Sequence, residues 1–292
     1  MHYSSVPAKI RRTITFILVT FLLSVAILEI TLRVVDPWGA WQYISDLSVL
    51  AKGYISDPYR GYVSEPGVYH LSNWTATILS DNTRSVPDTN ATAPCTIVIA
   101  GDSATFSHGV NDAETWVNVL AKRHPEIHVI NAGGNGYNVD SALGTINGFP
   151  HANGYLYFLN DNDALGLFHL GSDAPAITIY FFYAKQFAAP SGTYSDQVVL
   201  SSSAKPDFGN FYKTFDQIVT DPRVMIVSLG KGGDLLEDVL QRYPQQVHPM
   251  NSYGPVLSRA DSHANAEGNI NVANGIEPYF KQLIEQVCKV PF

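Results

Sequence analysis

CTIVIAGDSAT, residues 95–105, is the stretch from which the fold can be read. Thr96-Ile97-Val98-Ile99-Ala100 is a continuous apolar, β-branched run, the pattern of a strand buried on both faces of a parallel sheet. Gly101-Asp102-Ser103 ends the run in a turn. A serine there presents its hydroxyl and its backbone N–H at the top of the sheet. The tripeptide alone fits a helix N-cap as readily as a nucleophile.

Downstream of this stretch the chain alternates between the two periodicities. A helix is expected at about 113–123, with Trp116, Val117, Leu120 and Ala121 on one stripe, then a strand at His128-Val129-Ile130. A helix near 139–147 precedes a strand at Tyr155–Phe158. Further strands are expected at Ile177–Phe182 and Val224–Ser228, helices near 211–219 and 234–242, and a final helix over about 266–287. Strands alternating with helices predict an α/β fold, a three-layer doubly wound parallel sheet.

Upstream, residues 1–36 differ from the rest. Lys9, Arg11 and Arg12 precede an uncharged run from Thr13 to Leu28, and apolar residues continue through Ile30, Leu32, Val34 and Val35. The whole segment meets the roughly 20 residues a bilayer requires. Glu29 and Arg33 lie four apart and can pair on one helix face. Basic residues before the span, with none clustered just after it, orient the N-terminus to the cytoplasm and the body outside. A cleaved signal peptide is the competing reading, but no Ala-x-Ala site follows the apolar run. Residues 37–93 are rich in turn dipeptides such as Asp57-Pro58 and Pro87-Asp88, and read as a stalk and an irregular extension laid on a main domain at 94–292. Asn73-Trp74-Thr75 and Asn90-Ala91-Thr92 match the N-glycosylation acceptor pattern, which bears only on a eukaryotic chain.

The composition, 46% hydrophobic and 15% charged, excludes a disordered or coiled-coil chain. A net charge of −8 with 18 scattered basic residues disfavours a nucleic-acid partner.

Active sites of open α/β sheets lie in the loops leaving the carboxyl ends of the strands. Three later loops there carry unusual polar residues. Asn131-Ala132-Gly133-Gly134-Asn135-Gly136 lets backbone N–H groups approach a ligand, without the spacing of a dinucleotide fingerprint or the lysine of a P-loop. Asn160-Asp161-Asn162-Asp163 offers a side-chain amide as an uncharged oxyanion donor, or alternatively oxygens for calcium, although the EF-hand pattern does not follow. Asp261-Ser262-His263 puts a titratable base beside a carboxylate ahead of the last helix, as a serine nucleophile requires.

These blocks in this order (IVIAGDSATFSHGV, VINAGGNGYN, YFLNDND and DSHANAEGN) resemble the SGNH, or GDSL-type, hydrolases over roughly residues 95–287. LSDNTRS just upstream is more weakly similar, and the anchor ending in Leu28-Glu29-x-x-Leu32-Arg33 resembles membrane-tethered bacterial members. The resemblance implies a flavodoxin-like sheet and a serine hydrolase working without metal or cofactor. It implies Ser103 as nucleophile, His263 as general base and Asp261 as its orienting acid. The oxyanion donors would be the N–H groups of Ser103 and Gly136 and the side chain of Asn160. One residue separates Asp261 from His263, where the family more often has two, and Ala104 stands where leucine is commonest. His108, five residues beyond Ser103, reads as loop packing or a substrate contact rather than as the base. On that fold Cys95 starts the first sheet strand and Cys288 ends the last helix, both on the edge opposite the site, so a disulfide between them is expected.

The function expected is hydrolysis of carboxyl esters, O-acyl or O-acetyl groups on surface glycans, lipids or small molecules, through an acyl-serine. The same triad would serve an O-acyltransferase acting on a cell-surface polysaccharide, and a non-catalytic tethered binding protein is a third reading.

Overall fold

The computed structural model describes residues 7–164, 176–177, 179–180, 208–229, 234–250 and 253–288. Helix α1, Ala8–Val35, leaves its apolar side chains exposed over most of its length, and Lys9–Val35 is long and apolar enough to cross a membrane. At 1.5 Å per residue its 27 residues extend about 40 Å, beyond a hydrocarbon core of about 30 Å. Arg33 pairs with Glu29 at 2.7 Å, as their spacing predicts. Asp36 then adopts a left-handed conformation, and its carboxylate accepts from the N–H groups of Trp41 and Gln42, which begins α2, Ala40–Lys52.

Residues 53–78 fold into two antiparallel hairpins. In the first, β1 (Tyr54–Asp57) pairs with β2 (Gly61–Ser64); in the second, β3 (Gly67–His70) pairs with β4 (Thr75–Ile78). The stretch expected to be irregular is therefore largely regular. Its helix was legible, because Ala40, Ile44, Leu47 and Leu50 are buried at helical spacing.

Among the described residues, five strands form the parallel sheet in the order β6–β5–β7–β8–β9. These are β5 (Cys95–Gly101), β6 (Ile127–Asn131), β7 (Gly154–Leu159), β8 (Val224–Leu229) and β9 (Val247–Met250). Val98 lies between Ile130 and Tyr155 in register, so β5 is an interior strand. Ile97 and Ile99 enter one core with α4 (Trp116–Arg123) and the long α8 (Ala266–Cys288). Val98 and Ala100 enter a second core with α5 (Val139–Gly148), α6 (Phe208–Val219) and α7 (Asp234–Arg242). This two-sided burial is why the 96–100 run lacks alternation, each aliphatic side chain contributing about 1.5–3 kcal/mol. The three-layer doubly wound sheet expected from the sequence is the architecture observed.

Two differences have physical causes. The fifth strand is not Ile177–Phe182. Residues 176, 177, 179 and 180 are helical, and Phe181 and Phe182 lie outside the described residues, as do 184–207 and the Gly230–Gly233 loop. The Glu29 carboxylate accepts from the N–H groups of Ala176 and Ile177 at 2.8 and 2.9 Å, a contact between helical residues and a distant carboxylate that local β propensity could not foretell. The strand in its place, Val247–Met250, is short and contains Pro249, which is tolerated at the sheet edge.

From the carboxyl end of β5 the chain goes to β6 on one side, and from that of the adjacent β7 it goes to β8 on the other, so the two connections diverge. That switch point is where ligands bind in such sheets.

Candidate active site

Strand β5 runs into Gly101, with φ +150°, where a Cβ would come within 2.8 Å of the Phe158 carbonyl oxygen. The turn delivers a short helix, α3 (Ser103–Phe106), whose N-cap is Asp102; its carboxylate accepts from the Ala104 N–H at 2.9 Å. The capping role open to Ser103 is therefore filled by its neighbour, and the serine hydroxyl is free for another partner. That partner is His263, whose Nε2 lies 2.7 Å from Ser103 Oγ. The histidine sits on the loop from β9 to α8, held by the Leu257 N–H donating to the His263 carbonyl and by Asn265, whose side chain accepts from Gly268 at the start of α8. On the other side of its ring, Nδ1 lies 2.6 Å from Asp261 Oδ1. The same oxygen accepts the His263 backbone N–H at 3.0 Å, so the short Asp-x-His spacing closes as an Asx turn.

Burial alone would push the Asp261 carboxyl up, but His263, its hydrogen bonds and His108 hold it below its ordinary value. Burial pushes the His263 imidazole down, and the Asp261 carboxylate, its hydrogen bond and the Asp102 charge together lift it above 6.5. Serine, imidazole and carboxylate are thus brought into one line, with the carboxylate charged and the imidazole able to accept a proton.

The remaining site residues stand around this line. Asn160, at the end of β7, donates through Nδ2 to Asp102 Oδ2 at 3.0 Å, beside Ser103. Its backbone N–H donates to Asp163 Oδ2, which also accepts the Tyr157 hydroxyl. Asp163 is buried, and burial with the nearby Asp102 charge raises its carboxyl well above the usual range. The Asn160–Asp163 run therefore turns inward to hold the asparagine. Among the described residues no three His, Cys, Asp or Glu side chains cluster so as to hold a metal ion. Gly136 is buried on the loop after β6 with φ +79°, a conformation suited to glycine. That loop lies against the serine turn: Gly134 donates to the Gly101 carbonyl and Asn131 to that of Thr105.

Cys95 and Cys288 meet at the opposite edge, joined as a disulfide with Cα atoms 5.6 Å apart.

Three further residues bear on the site. His108 returns to the site because one turn of α3 brings its N–H to the Ser103 carbonyl, and its ring stands 5.0 Å from that of His263. Tyr43 of α2 packs 5.7 Å from the His263 ring. Arg84 is wholly buried and donates to the carbonyls of Phe106, Ser107 and Val110 and to Asp112, pinning the loop that carries His108. It falls within LSDNTRS, so a signal existed for Arg84; the aromatic run from Trp38 to Tyr43 held none for the site.

No family model matches the chain, and no curated protein matches it. Solved structures are similar to it over about two thirds of its length. One is described as a member of the lipolytic protein G-D-S-L family from Veillonella parvula, 16% identical over 64% of this chain and 99% of that one, with TM-score 0.39. A carbohydrate acetylesterase family member from Sinorhizobium meliloti is 15% identical over 65% and 99%, with TM-score 0.37. The psychrotrophic esterase EstA from Pseudoalteromonas, in a structure inhibited by monoethylphosphonate, is 15% identical over 65% and 98%, with TM-score 0.40. Identity and TM-score are low in every case, and the functional reading rests on this chain's own residues.

Proposed function

We propose that this protein is a membrane-anchored serine hydrolase of carboxyl esters, of the SGNH type. The observation that carries the reading is the continuous Ser103–His263–Asp261 contact, 2.7 Å and then 2.6 Å. In the reaction His263 Nε2 takes the Ser103 hydroxyl proton as Oγ bonds to the ester carbonyl carbon. The negative charge on the carbonyl oxygen meets the N–H groups of Ser103 and Gly136 and one N–H of the Asn160 amide, the other N–H being held by Asp102. His263 returns the proton to the leaving alkoxide as the C–O bond breaks, which leaves an acyl-serine. Water then adds to the acyl carbon, losing a proton to His263, and the acid leaves as Ser103 recovers its hydrogen. Asp261 keeps the imidazole in the tautomer with Nε2 free and stabilises the imidazolium.

Residues 1–36 serve as cytoplasmic tip and anchor, 37–93 as the extension, and 94–292 as the catalytic domain, outside the cytoplasm. Retention of the helix is supported by Glu29, which accepts from the Ala176 and Ile177 N–H groups; cleavage after the apolar run would discard that contact. The Cys95–Cys288 link suits an oxidising compartment such as the periplasm.

The test uses the full-length protein in detergent with p-nitrophenyl esters of increasing chain length and with O-acetylated glycans, alongside Ser103→Ala. Turnover that the variant loses, and labelling of Ser103 by a phosphonate ester, are expected. Absence of both turnover and adduct would overturn the proposal. Acyl transfer to a sugar hydroxyl with no free acid released would make the enzyme a transferase.

A further inference from the structure

His108 is a buried titratable group that the mechanism above does not use. Four observations place it in the site. Its backbone N–H donates to the Ser103 carbonyl at 3.0 Å, so it is fixed relative to the nucleophile. Its ring is 1% exposed and walled by His263 at 5.0 Å, Trp74 at 5.0 Å and Tyr43 at 5.5 Å, the last two approaching in edge-on fashion. Its Nε2 faces Asp261 Oδ2 at 4.0 Å. Asn135 is its hydrogen-bonding neighbour, and neither His108 Nδ1 nor Asn135 Oδ1 has a bond of ordinary geometry.

The Asp261 carboxylate needs a second hold. Both N–H groups of His263 fall on Oδ1, the outcome of a two-residue spacing. A carboxylate held through one oxygen can swing about its Cβ–Cγ bond, and each swing takes Oδ1 off the imidazole. A donor on Oδ2 would fix the plane.

We propose that His108 is a positioning residue for Asp261, a neutral imidazole whose Nε2–H is directed at Oδ2. This rests on the reading of Ser103, His263 and Asp261 as a catalytic triad. The 4.0 Å separation is about 1 Å longer than a hydrogen bond. It closes as the ester binds and His263 becomes charged, the stage at which catalytic contacts tighten. The opposite tautomer would point a lone pair at the carboxylate. A charged imidazole is equally excluded, because burial and the adjacent His263 pull His108 down to about 3 against the attraction of Asp261, and the Arg84 cation adds to that pull. A neutral donor is what the position requires, since a second cation beside His263 would oppose its protonation by Ser103. The short Asp-x-His turn and the histidine of the serine loop are on this account one device.

His108→Gln keeps an N–H at the Nε2 position, while His108→Phe keeps the ring volume and removes the donor. The groups facing the Asp261–His263 pair (Asp102, Tyr253 and Tyr43) are the same in both, as is Arg84 beside residue 108. With the full-length protein and whichever ester it turns over, the glutamine variant is expected to stay close to wild type. The phenylalanine variant is expected to lose about ten- to a hundredfold in kcat with little change in KM. The acid limb of its kcat/KM profile should move up in pH, because an undonated carboxylate concentrates its charge on His263. A folded His108→Phe protein with wild-type kcat and acid limb would overturn the proposal. So would a glutamine variant as impaired as phenylalanine. The 15N shifts of the wild-type histidine rings, read without substrate, decide separately: a proton on Nε2 of His108 supports the proposal, and a proton on Nδ1 overturns it. Unchanged turnover in Ser103→Ala would instead overturn the triad reading and leave those shifts to decide the His108 contact.

Discussion

Asp261→Asn separates an orienting carboxylate from a bystander. The wild-type contact joins two sparingly exposed side chains, 8% and 13%, at 2.6 Å, the length of a charge-assisted bond. The amide can offer its oxygen to Nδ1–H or its nitrogen to a bare Nδ1. The second arrangement puts the proton on Nε2, where it blocks acceptance from Ser103. In a serine–histidine–aspartate triad this exchange lowers kcat by about 10⁴-fold. The pH profile should change with it. Burial is the largest influence on His263 and acts downward; the carboxylate and its hydrogen bond reverse it. Without them the imidazole falls below 6.5, so the acid limb of kcat/KM, above 6.5 in the wild type, moves to lower pH. Stability gives an independent reading. His263 is raised on folding, so its contribution is complete below 6.5 and is lost as pH rises through the folded value. Asp261 is lowered, so its contribution is present above 3.8 and is lost as pH falls through the folded value. The Tm difference between wild type and variant should therefore be greatest between these two values and shrink on either side. The measurements are initial rates on the preferred ester across pH and calorimetry at matched pH. A variant within tenfold of wild-type kcat, with its acid limb unmoved, would refute the assignment of Asp261.

Arg84→Met strands three carbonyls and the Asp112 carboxylate in a buried pocket. It should cost about 3–5 kcal/mol and lower Tm by about 10 °C, and lysine should not restore it; a fall under about 2 °C would contradict the structural role. Replacing Cys95 and Cys288 together by alanine opens a link across 193 residues, for which chain entropy predicts up to about 5 kcal/mol and a Tm loss of about 10–20 °C. Because the link lies at the sheet edge opposite the serine, kcat should be unchanged, and a reductant should reproduce the Tm loss in the wild type. Glu29→Ala removes an acceptor from two backbone N–H groups and the partner of Arg33, and should lower Tm in detergent by about 2–4 °C. An unchanged Tm would mean that the helix end does not brace the body.

Much of the sheet could be read in advance because burial on both faces leaves a plain mark. Ile97, Val98, Ile99 and Ala100 enter two cores by turns, and no polar residue interrupts the run. The candidate site residues drew notice for a different reason: they stand at strand ends or in the loops that follow the strands, where a polar residue or glycine has no packing task. What could not be read depends on distant partners. Ile177, Ile179 and Tyr180 are helical where a strand is expected, and the carboxylate that accepts from the N–H groups of Ala176 and Ile177 belongs to Glu29, 147 residues before Ala176. His108 reads from the sequence as loop packing or a substrate contact, and only the helical turn that brings its N–H to the Ser103 carbonyl sets its ring beside His263. Arg84 lies in a stretch the resemblance flags, but its burial depends on the convergence of three carbonyls and the Asp112 carboxylate, which sequence alone does not show.

The N-terminal segment belongs to the same argument. A flexible stalk between anchor and body would make their relative position irrelevant to catalysis. Here the end of α1 is joined to the loop of Asp261 and His263 by short connections. Asp36 caps α2, the Trp38 carbonyl accepts from Ala260 one residue before Asp261, and Tyr43 lies against the rings of both His263 and His108. Leu32, Trp38, Trp41 and Tyr43 pack with Ala40, Ile44, Ile179, Tyr180 and Ala260 in one cluster. From Val35 to Tyr43 is eight residues, at most about 29 Å if fully extended, and the turn and first helical residues shorten it further. On the proposed reading of α1 as a membrane anchor, the serine and histidine would be held near the bilayer surface, and the residues that set that distance are the ones that wall the imidazole. Shifting α2 by lengthening the Asp36–Gly39 turn would move the anchor and the wall of the site together, so activity should respond to linker length even on a soluble ester.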